Sequence, residues 1–164
     1  MIRRAKETDI PRMITLLNQV LEIHAKIRPD IFVSGKTKYS VAELKEILSD
    51  DNKPVYVYTD ENDECMGYCF CVLRGIPKAD FMAPKKILFI DDLCVDESKR
   101  GEHIGMKLFD HVKEEAKKLG CYEVTLNVWE GNDSAIAFYN SLGMKVKEYQ
   151  MELIFNCKND KIDM

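Results

Sequence analysis

Ile87-Leu88-Phe89-Ile90-Asp91-Asp92-Leu93-Cys94-Val95, followed after a short polar turn by Arg100-Gly101-Glu102-His103-Ile104-Gly105, is the stretch whose reading decides the fold. The first part is a run of apolar and β-branched residues, the signature of a strand. Beyond the turn, Ile104, Leu108, Phe109, Val112, Ala116 and Leu119 recur at helical spacing, Lys117 and Lys118 fall in the last turn, and Gly120 marks the stop. A strand that feeds a glycine-bearing turn opening a helix leaves backbone N–H groups unpaired at the positive end of a helix dipole. That arrangement suits a phosphate, so the turn reads as a cofactor cradle. The same pattern also occurs in α/β proteins with no phosphate site.

Working outward, a second stretch runs from Trp129 through Asn132, Ala135, Phe138 and Tyr139 to Gly143 and Met144. Together the two stretches resemble the GNAT superfamily of N-acetyltransferases. The superfamily's cofactor signature, Q/R-x-x-G-x-G/A, is matched at Arg100 and Gly105, with His103 at a glycine position. Its second motif, N-x-x-A-x-x-F-Y-x-x-x-G-F, is matched at Asn132, Ala135, Phe138, Tyr139 and Gly143, with Met144 for the final Phe.

The rest of the chain falls into place around these motifs. Ile2 to Ala5 reads as a short strand. Asp9 caps a helix with Pro11 in its first turn and Met13, Ile14, Leu17, Val20, Leu21 and His24 on one face, ending before Pro29. His24 reads as a core or edge histidine. Ser40-Val41-Ala42-Glu43 is a capping box opening a second helix that stops near Asp50-Asp51-Asn52. Pro54 to Thr59 and Met66 to Leu73, separated by Asp60-Glu61-Asn62-Asp63-Glu64, predict a β-hairpin. Arg74 to Lys86, with Pro77 and Pro84, reads as a loop. Tyr122 to Val128 is strand-like, a short helix runs from Asp133 or Ser134 to Leu142, and Lys145 to Phe155 alternates as a last strand before a polar tail, Asn156 to Met164.

This order matches the superfamily over nearly the whole chain. The resemblance implies an α/β (α+β) fold: a mixed, mostly antiparallel sheet of six or seven strands, flanked by about four helices and splayed between strands four and five. With 164 residues and 46% hydrophobic content, one domain spanning 1–164 is expected.

Composition narrows the partners. The net charge is −4 and no Lys/Arg run resembles a nucleic-acid or anionic-membrane surface. No apolar run approaches the about 18 residues of a membrane span, and no signal-type segment follows Met1, so a cytoplasmic protein is expected. Six cysteines, Cys65, Cys69, Cys71, Cys94, Cys121 and Cys157, include no C-x-x-C pair, and read as reduced thiols. His24, His103 and His111 have no ligand spacing with them, so no metal is expected.

The resemblance also implies roles. Acetyl-CoA would lie in the gap between strands four and five. Arg100, Gly101, Glu102, His103, Ile104 and Gly105 would hold its pyrophosphate, and main-chain groups of Leu93, Cys94 and Val95 would hold the acetyl carbonyl and pantetheine. Asn132 would contact the pantetheine or fix its loop. Tyr139 stands where the family's general acid protonates the departing thiolate; its alternative is an aromatic packed on the sheet.

An amine acceptor must lose a proton before attack. At a lysine-like pKa near ~10.4 only about one molecule in 10³ is neutral at pH 7. A carboxylate at the cleft can relay that proton. Asp91-Asp92 resembles the acidic pair of polyamine N-acetyltransferases. Strand alternation would send the two to opposite faces, and the resemblance assigns the acceptor side to Asp91, with Asp92 the alternative. Glu130 is a third candidate, and Arg28, Asp30, Phe32 and Tyr39 lie in the segment that forms the acceptor pocket in this superfamily. Asn127 stands where ribosomal-protein acetyltransferases carry their base, which argues against close equivalence with them.

The function implied is direct transfer of acetyl to a small or polyamine-like primary amine. A protein or peptide amine, or a non-catalytic acyl-CoA sensing module on the same fold, are the alternatives. Homodimerisation is common in the superfamily, and the final strand offers an edge for it.

Overall fold

The computed structural model describes residues 1–76 and 79–155. In chain order the elements are β1 (Ile2–Arg4), α1 (Ile10–Ile27), α2 (Val41–Ser49), β2 (Val55–Thr59), β3 (Cys65–Gly75), β4 (Lys86–Val95), α3 (Ile104–Lys118), β5 (Glu123–Leu126) and α4 (Asp133–Ser141). The strands form one sheet in the order β1-β2-β3-β4-β5. Every pairing is antiparallel except β4 with β5.

Two apolar clusters sandwich the sheet. Met13, Leu16 and Leu17 of α1 and Leu44 of α2 pack with Val55, Val57, Tyr68, Phe70 and Cys94 on one face. On the other, Ile104, Leu108, Phe109, Val112 and Ala116 of α3 meet Cys69, Cys71, Leu88 and Ile90. The α3 residues are those whose spacing predicts the helix, apart from Leu119, which is partly exposed just past its end. Gly67 lets α3 approach: a Cβ there would stand 2.9 Å from the Cys94 carbonyl and 3.2 Å from Leu108.

Local signals act as expected at α2, where Ser40 Oγ accepts from the Glu43 N–H at 3.2 Å and the Ser40 N–H donates to Glu43 at 2.7 Å. At α1 the signal is redirected. Asp9 stands at the N-cap, but its carboxylate accepts from the Arg3 guanidinium at 2.8 and 3.0 Å and from the Lys6 N–H at 2.7 Å, tying β1 to the helix start.

Three expectations need correction. Among the described residues the sheet has five strands, not six or seven. The segment predicted as a last strand, 145–155, lies outside regular secondary structure, is exposed and joins no ladder among the described residues, so its alternating pattern has no intrachain sheet face to pack on. The fifth strand is also shorter than Tyr122 to Val128. It pairs with Ile87–Ile90 of β4 and ends at Leu126, while β4 continues to Val95. The gap expected between the fourth and fifth strands opens at that divergence. Pro77, Cys157 and the tail Asn156 to Met164 lie outside the described residues.

Candidate active site

A cleft of about 1090 Å³ occupies the divergence, running from the α3 N-terminus past β4 to the α1–α2 loop. At one end, Gly101 (φ 87°) and His103 (φ 60°) adopt left-handed backbone, and the His103 side chain, at the N-cap of α3, makes no capping hydrogen bond. Arg100, Gly101, His103, Ile104, Gly105 and Met106 line this end. An uncapped helix N-terminus facing open space presents free N–H donors and the positive dipole end, which fits a pyrophosphate. The glycine that the signature asks for at His103 is explained by its positive φ. Glu102 does not line the cleft; it faces Lys99 at 3.6 Å. Gly105 also serves packing, since a Cβ would meet the Phe138 ring of α4 at 3.2 Å.

Along the wall, Leu93, Cys94 and Val95 run beyond the end of β5, so their edge on that side is free of the β4–β5 ladder. The Cys94 thiol is buried against the Leu16 carbonyl at 3.7 Å, and burial pushes its pKa up to about 12. A thiol that stays protonated is a strand side chain rather than a nucleophile.

The acidic pair departs from simple alternation. Phe70 pairs with Asp92 and Cys71 with Ile90, which leaves Asp91 as the extra residue of a β-bulge. The parity of β4 changes there: Leu88 and Ile90, then Leu93 and Val95, all pack on the α3 side. Both carboxylates consequently reach the α1 side, correcting the expectation that they point to opposite faces. Lys38 Nζ lies 3.3 Å from Asp91 and 4.0 Å from Asp92. Asp92 is the more enclosed, its side chain 9% exposed against 34% for Asp91. It accepts from the hydroxyl of the fully buried Tyr68 at 3.0 Å. Burial raises the Asp92 carboxyl to about 6, against the opposing pull of Lys38 and Tyr68.

Tyr139, on α4, lines the same cleft, and burial lifts its phenol above the ordinary tyrosine range, with the nearby Cys69, Asp92 and Cys94 adding to the shift. Asn132 also lines the cleft, and its side chain caps α4 by accepting from the Ala135 N–H at 3.3 Å. Among the described residues there is no group of three or more His, Cys, Asp or Glu placed to hold a metal ion, and no helix is long and apolar enough to cross a membrane.

Several groups at the Asp91–Asp92 end of the cleft were not singled out from sequence. His24, read as a core or edge residue, lines the cleft with its ring 5.1 Å from Phe32, which meets Trp129 edge-on at 5.4 Å. Its pKa is lowered by burial and by Lys38. Lys38 and Tyr68 carried no sequence signal, because their importance lies in what the bulge turns toward them. Tyr39, which was singled out, stacks on Phe70 and reaches Asp91 at 3.4 Å. Arg28 is taken up by Asp30 and Glu152. Glu130 is exposed and does not line the cleft, whereas Asn127 does.

The family model described as "Acetyltransferase (GNAT) family" matches residues 17–144. The chain belongs to the GNAT family. This N-acetyltransferase is 27% identical to the bovine thialysine N-epsilon-acetyltransferase over 153 residues, 87% of the chain and 82% of that protein. It is 29% identical over 134 residues to an uncharacterized N-acetyltransferase of Methanocaldococcus jannaschii, covering 80% of the chain and 58% of that protein. Among solved structures it superposes on a Bacillus halodurans protein, crystallised as a tetramutant, with a TM-score of 0.90 at 32% identity, covering 94% of this chain and 99% of that one. The enzyme is an acyltransferase, and acetyl-CoA is the co-substrate of its family.

Proposed function

We propose that this acetyltransferase moves acetyl from acetyl-CoA directly to a primary amine of a small cationic acceptor. The observation that carries the reading is the pair Asp91 and Asp92, turned by the bulge to one face of the cleft, where they already hold an ammonium group, that of Lys38. An acceptor cation can take the same place. The acceptor class is further supported by similarity to the bovine enzyme named for thialysine.

Within this reading Asp92 is the better proton acceptor. A carboxyl raised to about 6 is ionised at neutral pH yet more basic than a free aspartate, and Asp91 attracts and orients the cation. Tyr139, held protonated by burial, donates to the leaving thiolate. The amides at the α3 N-terminus hold the pyrophosphate, and the free edge of Leu93 to Val95 holds the pantetheine. The reaction is a direct transfer, since Cys94 is protonated and packed away. Unbridged Cys65, Cys69, Cys71 and Cys94 support a reducing compartment, the cytoplasm. Pairing of two copies through the 145–155 segment completes the proposal.

The test is acetyl-CoA binding by calorimetry, then thiol release on adding diamines, amino acids with side-chain amines, and peptides. Amine-dependent release that falls about 10²-fold in Tyr139→Phe is expected for loss of a general acid. Binding without release from any acceptor would sink the reading.

A further inference from the structure

The Lys38 side chain belongs to the protein and sits where the acceptor's ammonium is expected. It comes from the end of the α1–α2 loop, whose position is fixed on both sides. Upstream, Ser34 and the Gly35 N–H are held by Glu22 of α1 at 2.6 and 2.7 Å. Downstream, Tyr39 stacks on Phe70 of β3, and Ser40 closes the capping box of α2. From that anchored backbone, Lys38 reaches Asp91 and Asp92 on β4.

An exposed ion pair would be worth little and mean little. This one differs because Asp92 is enclosed and, among the described residues, Lys38 is its cationic partner within 4.0 Å. The groups facing Lys38 are Asp91 and Asp92 from β4, Tyr39 beside it with its ring 5.1 Å away, and His24 from α1. Burial works to lower the Lys38 pKa, but the two carboxylates outweigh it and hold the ammonium above the ordinary lysine value. Like any free amine, it must be deprotonated before it reacts.

We propose that Lys38 Nζ is an internal acceptor: the enzyme acetylates its own Lys38, and the amide so formed releases Asp91 and Asp92 to an external amine. The inference rests on the transferase reading above. The ammonium gives one proton to solvent through Asp92. The neutral nitrogen forms a bond to the thioester carbonyl carbon, the carbon–sulfur bond breaks, and its electron pair leaves on sulfur. Sulfur takes the Tyr139 proton, and the second nitrogen proton restores the tyrosine. The balance is lysine ammonium plus acetyl-CoA giving acetyl-lysine, coenzyme A and one proton. Acetylation removes the charge, so the modified side chain no longer competes for the carboxylates.

The experiment incubates the purified protein with isotopically labelled acetyl-CoA and no amine, then maps the label by peptide mass spectrometry. Expected is label on Lys38 ahead of the other lysines, at a first-order rate independent of protein concentration, and about 10²-fold slower in Tyr139→Phe. In parallel, Lys38→Gln, which imitates the acetylated state, lowers KM for a diamine about two- to fivefold, the range of a partly exposed ion pair. Amine turnover with Lys38 unlabelled would overturn the inference and leave the transferase reading standing. Equal labelling in wild type and Tyr139→Phe would also overturn it, by showing uncatalysed chemistry. Neither label nor turnover with any amine would sink both.

Discussion

Asp92 carries its carboxylate on an enclosed wall, and the consequence is legible in pH. Its folded pKa, raised to about 6 by burial, lies above the ordinary value of ~3.9. The sign follows from linkage. A carboxyl raised on folding contributes stability that is fully present below ~3.9 and lost as pH rises through about 6, because the folded state must then bury the charge. Asp92→Asn removes that penalty. The melting temperature of the variant relative to wild type is therefore expected to rise between about pH 4 and about pH 6 and to level off above that. Its amine turnover should fall about 10²-fold, and the ascending limb of kcat near the same pH should disappear. Thermal melts and rate profiles on the two proteins check both; a flat stability difference across pH would remove Asp92 from its assigned role. At this scale the sequence supplied residue types but not their directions. Asp91-Asp92 on the strand and Tyr139 on the helix were visible, but the bulge that sends both carboxylates to one face depends on how β3 and β4 register, which no local pattern encodes.

At the scale of elements, the α3 N-terminus is where the fold meets the proposed pyrophosphate site. His103 holds φ at 60°, where an L-residue is disfavoured by roughly 1–2 kcal/mol and glycine is not. Glycine also loses more chain entropy on folding, which returns part of the gain. His103→Gly is expected to stabilise the protein by about 0.5–1 kcal/mol in denaturant unfolding with no change in m. Gly101→Ala, at φ 87°, should destabilise it by at least as much. If His103→Gly also tightens acetyl-CoA binding, the imidazole crowds the phosphates; if binding weakens, the imidazole contributes to holding them. The elements around this turn were largely readable. The periodicity of Ile104 to Ala116 and the Ser40 capping box are local signals that tertiary structure did not override. The Asp9 cap was overridden because Arg3, brought alongside by β1, offers its carboxylate a bidentate ion pair that a helix N–H does not match.

At the scale of the whole molecule, the segment 145–155 shows what an alternating pattern does and does not determine. Such alternation specifies a chain that packs on a sheet face, without saying whose sheet. Here Tyr149, Met151 and Phe155 stand 81%, 86% and 81% exposed, with Val146, Leu153 and Ile154 exposed beside them. The outer edge of β5 has no partner strand among the described residues. The segment is held close by polar anchors, Lys147 to Glu123 of β5 and Glu152 to Arg28, so its apolar side chains are presented rather than trailing. An apolar strip next to an open sheet edge is a liability for a lone chain. Two copies related by a two-fold axis can resolve it for both at once, because an isologous contact pairs the same strip and edge in each direction. The wild-type enzyme is accordingly expected to sediment at twice its chain mass. Tyr149→Lys combined with Leu153→Lys should sediment at the chain mass, with α1–α3 helicity retained by circular dichroism. Amide exchange gives an independent reading: backbone N–H groups of 145–155, which join no ladder in one chain, become protected when a second chain supplies their acceptors. A wild-type enzyme that sediments as one chain with these amides unprotected would refute the pairing. In that case the strip would belong to the surface that receives the acceptor, since Gln150 of the same segment lines the cleft and Glu152 reaches Arg28.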